Sequence, residues 1–539
     1  MVRSVRYGWH ARMAHLSILM LFCLSLLRCG GGTAASAPAP PPTISQFTAS
    51  PSQITSGGSS TLGWSVSGAT TLSINPSVGA VSGTTSLVVP SITTAYTLTA
   101  TGAGGTATAQ VTVTVVPSTP SPMLPASITS GIDTIYSFAN GANSGKPGGM
   151  VAIALDGKII YQKAYGMAQV AEGVPSDAGA PYYLASTSKQ FTAMAVLLCQ
   201  ERGWLKTTDE LRAYLPDLNS VFDGIKLQNL LNMNSSIYDV GTGNQTATTA
   251  QMYQTLKDEG AYGVVVTERP AGSVYKYTNM NYALLALIVE KVSGQSFRRF
   301  VQTEIFDKLG MSHSVVHDDP ALAVPGQPHG YDENLTLWST AATTSPAFGM
   351  TGVITTVNDL LLWDENFYAN QLGSQSQALI TLMEKPSLGN YACGLIVDTA
   401  GGYRRVQHTG RWLGFLSGHY RYPTLRLTVF VLLNRDDQRL QLPGHNIATL
   451  FMNTVCFVSS VPAETKLAVP YHHAYSATGA PRPTYSLLSG TLPPGLVLSA
   501  AGVLAGTPTT AGTYNGVVQA LSGTKSATQN VSLVVAANP

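Results

Sequence analysis

The segment Tyr183-Leu-Ala-Ser-Thr-Ser-Lys-Gln-Phe-Thr192 places a serine, Ser186, three residues before a lysine, Lys189. The apolar residues that follow predict a helix over 187–202, and residues three apart on a helix lie on one face. A serine hydroxyl is a weak nucleophile until a base removes its proton, and a lysine desolvated in a pocket can stay neutral and serve as that base. The spacing therefore indicates a nucleophilic Ser186 activated by Lys189. A helix-capping serine followed by a solvated lysine is the alternative that these residues alone leave open.

Two more short motifs follow along the chain. Tyr277-Thr-Asn279 lies at the start of a helix predicted over 280–293, and His408-Thr-Gly410 lies well beyond it. Each motif alone is a weak signal, because such short patterns occur by chance in a chain of 539 residues. Taken alone, Tyr277 is also explained as an ordinary buried tyrosine near a helix start.

In this order and with their flanking residues, the three motifs resemble the serine β-lactamase and penicillin-binding-protein superfamily. The resemblance is closest to the class C-like branch, which holds class C β-lactamases, D-alanyl-D-alanine carboxypeptidase-like peptidases and family VIII carboxylesterases. It implies an α/β catalytic domain in which an antiparallel sheet carries an inserted helical lobe. The turn dipeptide Asp156-Gly157 between two apolar segments predicts the hairpin that opens this sheet. Near the end of the unit, the apolar run 425–434 predicts a buried strand, which is followed by a predicted helix through Cys456.

The resemblance also implies a role for each residue of the motifs, and it places His408-Thr409-Gly410 on a substrate-binding edge strand whose glycine lets a ligand approach closely. A serine attacks the substrate carbonyl, a lysine and a tyrosine move the protons, and two backbone N–H groups, those of Ser186 and Arg411, stabilise the oxyanion. No metal and no cofactor takes part. The catalytic residues are then Ser186, Lys189 and Tyr277, and the substrate-binding or oxyanion residues are Asn279, His408, Thr409, Gly410 and Arg411.

Two departures from the family pattern bear on the substrate. His408 stands where many β-lactamases have lysine, and a histidine is mostly neutral at pH 7, so the cation that holds a β-lactam carboxylate is weakened. Arg411 is a candidate for the missing charge. Leu230-Leu-Asn-Met-Asn-Ser-Ser236 replaces the family's Leu-Leu-Thr-His-Thr-Ser-Gly in a neighbouring loop, which affects the expected substrate range.

The motifs predict a serine hydrolase that forms an acyl-enzyme on Ser186, with a small-molecule ester or a D-amino-acid peptide amide as substrate. This makes the protein esterase-like or DD-carboxypeptidase-like. Two alternatives remain open: a true β-lactamase, and a non-catalytic cell-surface binding or adhesion protein whose β-lactamase-like domain is degenerate.

Domains on both sides of this unit are predicted to be all-β. Period-2 alternation such as Leu62, Trp64 and Val66 predicts an Ig-like sandwich, and Gly490-Thr-Leu-Pro-Pro-Gly495 resembles the Ig-like repeats of bacterial surface proteins. We expect these modules to act as spacers or as contacts to cell wall or glycan. The predicted order is signal peptide 1–29, linker 30–43, Ig-like sandwich 44–116, linker 117–126, serine hydrolase domain 127–458, linker 459–467 and Ig-like sandwich 468–536.

The N-terminus and the composition predict export from a bacterium. Arginines precede the apolar run Leu16–Leu27, which is too short to span a bilayer and predicts a signal peptide. Cys29 before Gly30-Gly31-Gly32 resembles a lipoprotein signal, so we expect a secreted, periplasmic or cell-surface protein, with an outer-membrane lipoprotein and its lipid anchor as one form. Charged residues make up 11% of the chain and the net charge is +2, which argues against a nucleic-acid partner.

Competing sites have little support in the sequence. G-x-S-x-G and H-E-x-x-H are both absent, and His313, His317 and the following aspartates are expected to be solvated rather than metal-binding. Of the five cysteines, Cys199, Cys393 and Cys456 lie beyond the signal region, so one disulfide at most is expected.

Overall fold

The structure is a computed structural model that describes residues 39–537 apart from 56–59, 77, 89, 91–93, 117–123, 240–246, 261–269, 320–321, 333, 340–346 and 438–442. The predicted signal peptide, Cys29 and most of the first linker lie outside the described residues. The chain folds as two compact units, one formed by the described residues up to Ser52 with Ser60–Val88 and Thr94–Val113, the other by the rest.

The N-terminal segment is a two-sheet β structure, as predicted. Leu62 and Trp64 are buried while Thr61 and Ser65 are exposed, which is the alternation expected of a strand with one face in a core. The sheet orders are β1-β3-β6 and β2-β8-β7-β4-β5. The strands are β1 (Thr43–Ser50), β2 (Gln53–Thr55), β3 (Ser60–Ser67), β4 (Thr71–Asn75), β5 (Gly79–Ala80), β6 (Thr85–Val88), β7 (Thr94–Gly102) and β8 (Gly105–Val116).

The second unit contains an antiparallel six-stranded sheet with helices on both faces. Its first strands form the predicted hairpin, and Asp156 and Gly157 at the turn both have positive φ. The strands up to the C-terminal domain are β9 (Gly149–Leu155), β10 (Lys158–Tyr165), β11 (Met167–Gln169), β12 (Val174–Pro175), β13 (Tyr182–Tyr183), β14 (Val315–Val316), β15 (Gly330–Asp332), β16 (Leu337–Ser339), β17 (Val353–Thr355), β18 (Ile396–Ala400), β19 (Tyr403–Trp412), β20 (Phe415–Tyr422), β21 (Leu427–Leu433) and β22 (Arg435–Asp436). The six-stranded order is β10-β9-β21-β20-β19-β18.

The helices divide into two layers. The helices are α1 (Ala126–Ile135), α2 (Lys189–Glu201), α3 (Leu211–Tyr214), α4 (Leu227–Leu231), α5 (Thr249–Gly260), α6 (Asn279–Ser293), α7 (Phe297–Val301), α8 (Asp307–Leu309), α9 (Val357–Asn366), α10 (Gln377–Met383) and α11 (Gly444–Asn453). The two layers lie on opposite faces of the sheet, and alternate residues of β9 face each of them. Met150 and Ala152 pack against the helical lobe built around α2 and α6. Val151 and Ile153 pack against α1 and α11. The predicted sheet with a helical lobe is therefore confirmed.

Two predicted helix limits differ from the structure. The helix after the serine motif begins at Lys189, and a 3-10 turn, Ala185–Ser188, precedes it. The last helix of the unit ends at Asn453 rather than continuing through Cys456, because the chain becomes extended and Phe457 pairs with Ala477 of the C-terminal domain.

The C-terminal domain is a second sandwich, as predicted. Its sheet orders are β23-β29-β28-β25 and β24-β27-β26, and its core includes Phe457, Tyr475 and Leu504. The strands are β23 (Thr465–Lys466), β24 (Tyr471–Ala474), β25 (Thr484–Gly490), β26 (Leu496–Leu498), β27 (Val503–Gly506), β28 (Gly512–Ser522) and β29 (Lys525–Ala536).

A four-residue junction, Val455–Val458, belongs to both domains. Val455 and Phe457 pack into the C-terminal core, whereas Cys456 and Val458 pack against the layer of α1 and α11. A hydrogen bond also joins the two domains. Ser476 Oγ of the C-terminal domain donates over 2.6 Å to Asp156 Oδ2, which lies in the hairpin turn between β9 and β10. The two domains are thus joined through shared packing rather than through a free linker.

Two further properties of the described residues concern cysteines and membranes. Cys199, Cys393 and Cys456 are all free thiols. Within the described ranges, no helix combines the length and the apolar character that crossing a bilayer requires.

Candidate active site

Ser186 lies in the 3-10 turn between the helical lobe and strand β19. Ala185, just before it, has φ +48°, a left-handed conformation that costs a non-glycine residue energy and is often found at functional sites. Ser186 itself is half-buried, while its neighbours Ala185 and Thr187 are buried. Within this turn, Ser186 is therefore the side chain that solvent can partly reach.

Lys189 is fully buried beneath the serine. Its Nζ lies 3.0 Å from Ser186 Oγ, 2.9 Å from Asn279 Oδ1 and 2.8 Å from the carbonyl oxygen of Met350. Burial lowers the pKa of the Lys189 ammonium to about 7, and the nearby charge of Asp239 limits that shift. A substantial fraction of this lysine is then neutral near physiological pH, as a general base requires.

Tyr277 faces the same serine from the other motif. Burial raises the pKa of its hydroxyl above the ordinary value of 10, although a hydrogen bond with Ser186 acts in the opposite direction. Lys189 Nζ lies 5.0 Å from the centroid of the Tyr277 ring. Tyr277 is accordingly a neutral phenol that can receive or pass on a proton beside the serine.

Asn279 is held by a residue that the sequence analysis missed. It begins α6, and its Nδ2 donates to Asp239 Oδ2 over 3.3 Å while its Oδ1 faces Lys189. Asp239 Oδ1 also accepts from the backbone N–H of Met280 at 3.0 Å and from the hydroxyl of Thr278. An acidic side chain at a helix N-terminus is a common capping signal, but this one is 40 positions away in sequence and so could not be recognised.

The altered loop at 230–236 supports the same helix start. Ser235 Oγ donates to Asn281 Oδ1 over 2.6 Å, and the Met233 sulfur accepts from the Asn281 side chain and the Thr278 backbone, each at 3.5 Å. Asn234, Ser235 and Met233 are all buried. The replacement residues therefore pack against the tyrosine motif and keep its position.

His408 and Gly410 bring strand β19 against the serine turn. A Cβ on Gly410 would lie 2.2 Å from the carbonyl oxygen of Leu184 and 2.9 Å from the backbone nitrogen of Ser186, so only glycine allows this approach. The pairing of β18 with β19 ends at Gln407. Strand β19 is therefore not the edge of the whole sheet, but its part from His408 onward extends beyond β18.

The His408 ring is buried and uses both nitrogens. Nδ1 lies 2.6 Å from the carbonyl oxygen of Thr409, which can only accept, so Nδ1 carries the proton and Nε2 accepts from the Tyr391 hydroxyl at 3.1 Å. Burial first, and then the charge of Lys189, lowers the pKa of His408 to about 3. Thr409 is half-buried beside it.

Arg411 lies close to the serine turn but directs its guanidinium elsewhere. Its Nε donates to Asp436 Oδ1, and the Asp436 side chain is buried while that of Arg411 is about half exposed. The charge that the sequence offered for a substrate carboxylate is therefore balanced by Asp436. A Cβ on Gly410 would lie 2.9 Å from the backbone nitrogen of Ser186, so Arg411, the next residue of β19, follows directly on the point of closest approach to the serine turn.

The other polar clusters serve the fold, and the expectation that His317 is solvated is wrong, because its side chain is fully buried. Asp359 accepts from the His313 backbone N–H at 2.8 Å and from Ser314 Oγ at 2.7 Å, and His317 Nε2 bonds the carbonyl oxygen of Leu322 at 2.9 Å. In the part of the chain that the structure describes, no group of histidine, cysteine and acidic residues is arranged to hold a metal ion.

Two family models match this chain, one over each of two consecutive parts. The sequence model of the beta-lactamase family matches residues 138–449, more than half of the chain, and that of the He_PIG Ig-domain family matches residues 453–536. Penicillin-binding protein 4* of Bacillus subtilis (strain 168) is 27% identical over 315 residues, which cover 54% of this chain and 68% of that relative. Protein flp of Staphylococcus aureus (strain MRSA252) is 24% identical over 326 residues, covering 57% of this chain and 63% of that relative.

Solved structures agree on the fold. An octameric penicillin-binding protein homologue from Pyrococcus abyssi matches with a TM-score of 0.51 and 18% identity, over 76% of this chain and 90% of that chain. D-amino acid amidase from Ochrobactrum anthropi SV3, complexed with D-phenylalanine, matches with a TM-score of 0.51 and 19% identity, over 60% of this chain and 99% of that chain. At these identities the likeness establishes the architecture alone.

Proposed function

Because this chain belongs to the beta-lactamase family, we propose that it is a serine hydrolase that forms an acyl-enzyme on Ser186. The observation that carries the proposal is the buried amine of Lys189, 3.0 Å from the Ser186 hydroxyl and with its pKa lowered to about 7. The alignments cover only about two thirds of the curated relatives, so the activity is inferred from this chain's own site.

In the proposed acylation step, neutral Lys189 takes the proton of Ser186 while Oγ bonds to the substrate carbonyl carbon. Lys189 serves as this base rather than Tyr277, because burial lowers the pKa of the amine and raises that of the phenol. The carbonyl oxygen becomes an oxyanion between the backbone N–H groups of Ser186 and Arg411. Tyr277 then passes a proton to the leaving group as its bond to the carbonyl carbon breaks, and the proton on Lys189 replaces the one Tyr277 gave.

Deacylation repeats the sequence with water. Water loses a proton to the Lys189–Tyr277 pair as it attacks the acyl carbon, and Ser186 Oγ regains a proton when it leaves. The products are a free acid and the leaving alcohol or amine, and the enzyme returns to its starting protonation state. No group outside the described residues is required for this balance.

The proposed substrates are carboxylic esters or D-amino-acid peptide amides. The two alternatives are a true β-lactamase and a non-catalytic surface binding protein. The buried, pKa-shifted Lys189 disfavours the second, because a buried amine without function costs stability.

A fluorophosphonate probe followed by intact mass spectrometry tests this proposal. We expect one adduct, mapped to Ser186, that is lost in Ser186→Ala. A long-lived penicilloyl adduct in a parallel incubation would indicate a peptidase-like enzyme, and rapid turnover of penicillin a β-lactamase. If folded protein reacts with neither reagent, the proposal is wrong and the non-catalytic alternative takes its place.

We also propose that the protein is exported and that its Ig-like domains contact cell wall or glycan. The signal-like N-terminus and the likeness of residues 453–536 to Ig domains support this. Cell fractionation, with metabolic lipid labelling of wild type and Cys29→Ser, tests the location and the anchor. Recovery of the wild-type protein from the cytoplasm, without lipid label, would refute both the export and the lipid anchor.

A further inference from the structure

The strand segment His408–Arg411 has two side chains that can carry a positive charge, His408 and Arg411. In the structure both are bonded to other groups of the protein. Acidic substrates of a serine hydrolase need a counter-charge where their carboxylate rests, because a desolvated carboxylate without a partner is costly. In the sequence, His408 stands where many β-lactamases have a lysine, and Arg411 is the candidate for the missing charge. Their contacts therefore decide what kind of group can lie along this segment.

His408 is uncharged and therefore offers no positive charge to a substrate. Its ring is buried, its Nδ1 proton is directed at the Thr409 carbonyl oxygen, and its Nε2 is occupied by the Tyr391 hydroxyl. A second proton on the ring would sit at Nε2, where Tyr391 now donates, and it would be placed near Lys189. Geometry and electrostatics both keep this ring neutral.

Arg411 is charged, but an acidic side chain of the protein balances its charge. Its guanidinium pairs with Asp436, whose side chain is 3% exposed. The positive charge of Arg411 is therefore offset by a buried carboxylate beside it. The net charge offered by this pair is close to zero.

The neighbouring walls are aromatic and neutral. The Tyr277 and Tyr391 rings lie edge to face with centroids 6.0 Å apart, and Tyr275 lies 6.0 Å from Tyr391 on the exposed side. Thr409 adds a neutral hydroxyl. Tyr391 is fully buried, so the side chains that a ligand can meet beside this segment are Tyr275, Tyr277 and Thr409, and these favour an uncharged, partly apolar group over an anion.

We infer that the part of the substrate lying along His408–Arg411 is uncharged, so that the enzyme prefers neutral esters or amides over substrates with a free carboxylate on the leaving group. The inference rests on the proposed function, since it concerns the substrate of the same Ser186 site. It separates an esterase or amidase from a carboxypeptidase or a β-lactamase, whose substrates carry that carboxylate.

Two aryl esters with the same acyl group test this inference. One releases 3-hydroxybenzamide and the other 3-hydroxybenzoate, so the leaving groups are alike in size and differ by one charge. We expect kcat/KM of the full-length protein to be at least about tenfold higher for the neutral ester, since tenfold corresponds to about 1.4 kcal/mol and the anionic leaving group lacks an ion pair here. Equal or better use of the anionic ester would overturn the inference.

Two substitutions test which side chains set the preference between the neutral and the anionic ester. His408→Lys should raise the relative use of the anionic ester about tenfold, and no change in that ratio would contradict the role given to this position. Lys276→Met is the matched control, because its ammonium lies 3.2 Å from the centroid of the Tyr238 ring and outside the segment. A selective loss of the anionic ester in Lys276→Met would show that a cation does reach the leaving group, against the inference.

Fluorophosphonate labelling of the same preparations distinguishes the two proposals. If Ser186 is labelled and the anionic ester is preferred, the inference fails while the proposed function stands. If Ser186 is not labelled and neither ester is cleaved, both fail.

Discussion

At the scale of single residues, the protonation of Lys189 should control the rate. The amine works as a base only when neutral, and its pKa is lowered to about 7 by burial. We therefore expect kcat/KM for a neutral ester to rise about tenfold per pH unit below pH 7 and to level off above it. A pH profile from 5 to 9 checks this, and a profile that is flat across pH 7 would contradict the assignment of the base.

Asp239 is expected to act as a positioning residue through Lys189 and Asn279. Its negative charge raises the pKa of Lys189, so Asp239→Asn should shift the rise in kcat/KM to lower pH, by about half a unit for a partly screened charge. The plateau should also fall, because the carboxylate no longer holds Asn279 and the start of α6. The measurement is the pH profile of kcat/KM.

Asp258→Asn is the control for Asp239→Asn. Asp258 is an exposed residue of α5 whose carboxylate accepts from Gln254. A shift of equal size in both variants would show that general surface charge, rather than Asp239, sets the Lys189 pKa.

The residue scale also shows what the sequence could and could not predict. Ser186, Lys189 and Tyr277 belong to short local motifs, and the structure brings all three together. Asp239 and the Met350 carbonyl join the site from separate loops, and their contacts depend on the path of the chain rather than on any local pattern. The same holds for Asp436, whose pairing with Arg411 decides the charge along β19.

At the scale of elements, the close approach of β19 to the serine turn depends on Gly410. An alanine Cβ there would overlap the Leu184 carbonyl oxygen at 2.2 Å and displace the turn that carries Ser186. We expect Gly410→Ala to lower kcat about 100-fold or more, since a displacement of about 1 Å in a catalytic group costs that much. Ester hydrolysis measures it, with circular dichroism as the check on folding.

Gly145→Ala is the control for Gly410→Ala, because a Cβ at Gly145 meets nothing within 4 Å. This variant should keep wild-type activity. Full activity in Gly410→Ala would mean that β19 and the serine turn separate easily, and the oxyanion assignment would then be wrong.

A buried ion network joins β20 to α9 and to Glu384, the residue that follows α10. Arg421 donates to Asp364 at 2.8 Å and to Glu384 at 2.6 Å, and His419 lies 3.1 Å from Asp364. Arg421→Met would leave two carboxylates without this partner, so we expect the free energy of unfolding to fall by about 3–5 kcal/mol. Urea denaturation followed by fluorescence measures the change.

Arg404 offers a matched control, because it donates to the other oxygen of Glu384 from a side chain that is 39% exposed. Arg404→Met should cost about 1 kcal/mol or less, as exposed ion pairs do. Similar losses in both variants would show that burial does not govern the strength of this network.

The elements differ in how well the sequence predicted them. The hairpin at Asp156-Gly157 and the end of α6 at Gly294 match, because both are set by residues with positive φ at the turn or cap. The start of α2 and the end of α11 do not match. In both places tertiary contacts override local helix preference: the serine turn is held against β19, and the chain after Asn453 pairs with the C-terminal domain.

At the scale of the whole molecule, the catalytic unit and the C-terminal domain should lose their structure together. Phe457 lies in the C-terminal core, yet its neighbours Cys456 and Val458 pack against the catalytic unit. Phe457→Ala should therefore lower the temperature at which ester hydrolysis is lost, with a cost of about 3–5 kcal/mol for a buried aromatic residue. Residual activity after heating measures the effect.

Leu488→Ala serves as the comparison for Phe457→Ala, since Leu488 is an exposed apolar residue of the same domain. Its thermal inactivation should match wild type. If Phe457→Ala unfolds the C-terminal domain by calorimetry while activity persists to the wild-type temperature, the two domains are not coupled.

The alternation at Val455–Val458 also constrains how this chain can change over evolution. Neighbouring side chains of an extended segment face opposite ways, so inserting or deleting one residue here would turn Phe457 toward the catalytic unit and Val458 toward the sandwich. A change of two residues would restore the parity. We expect length variants of this junction in descendants of the chain to differ by even numbers of residues, whereas free linkers tolerate any length.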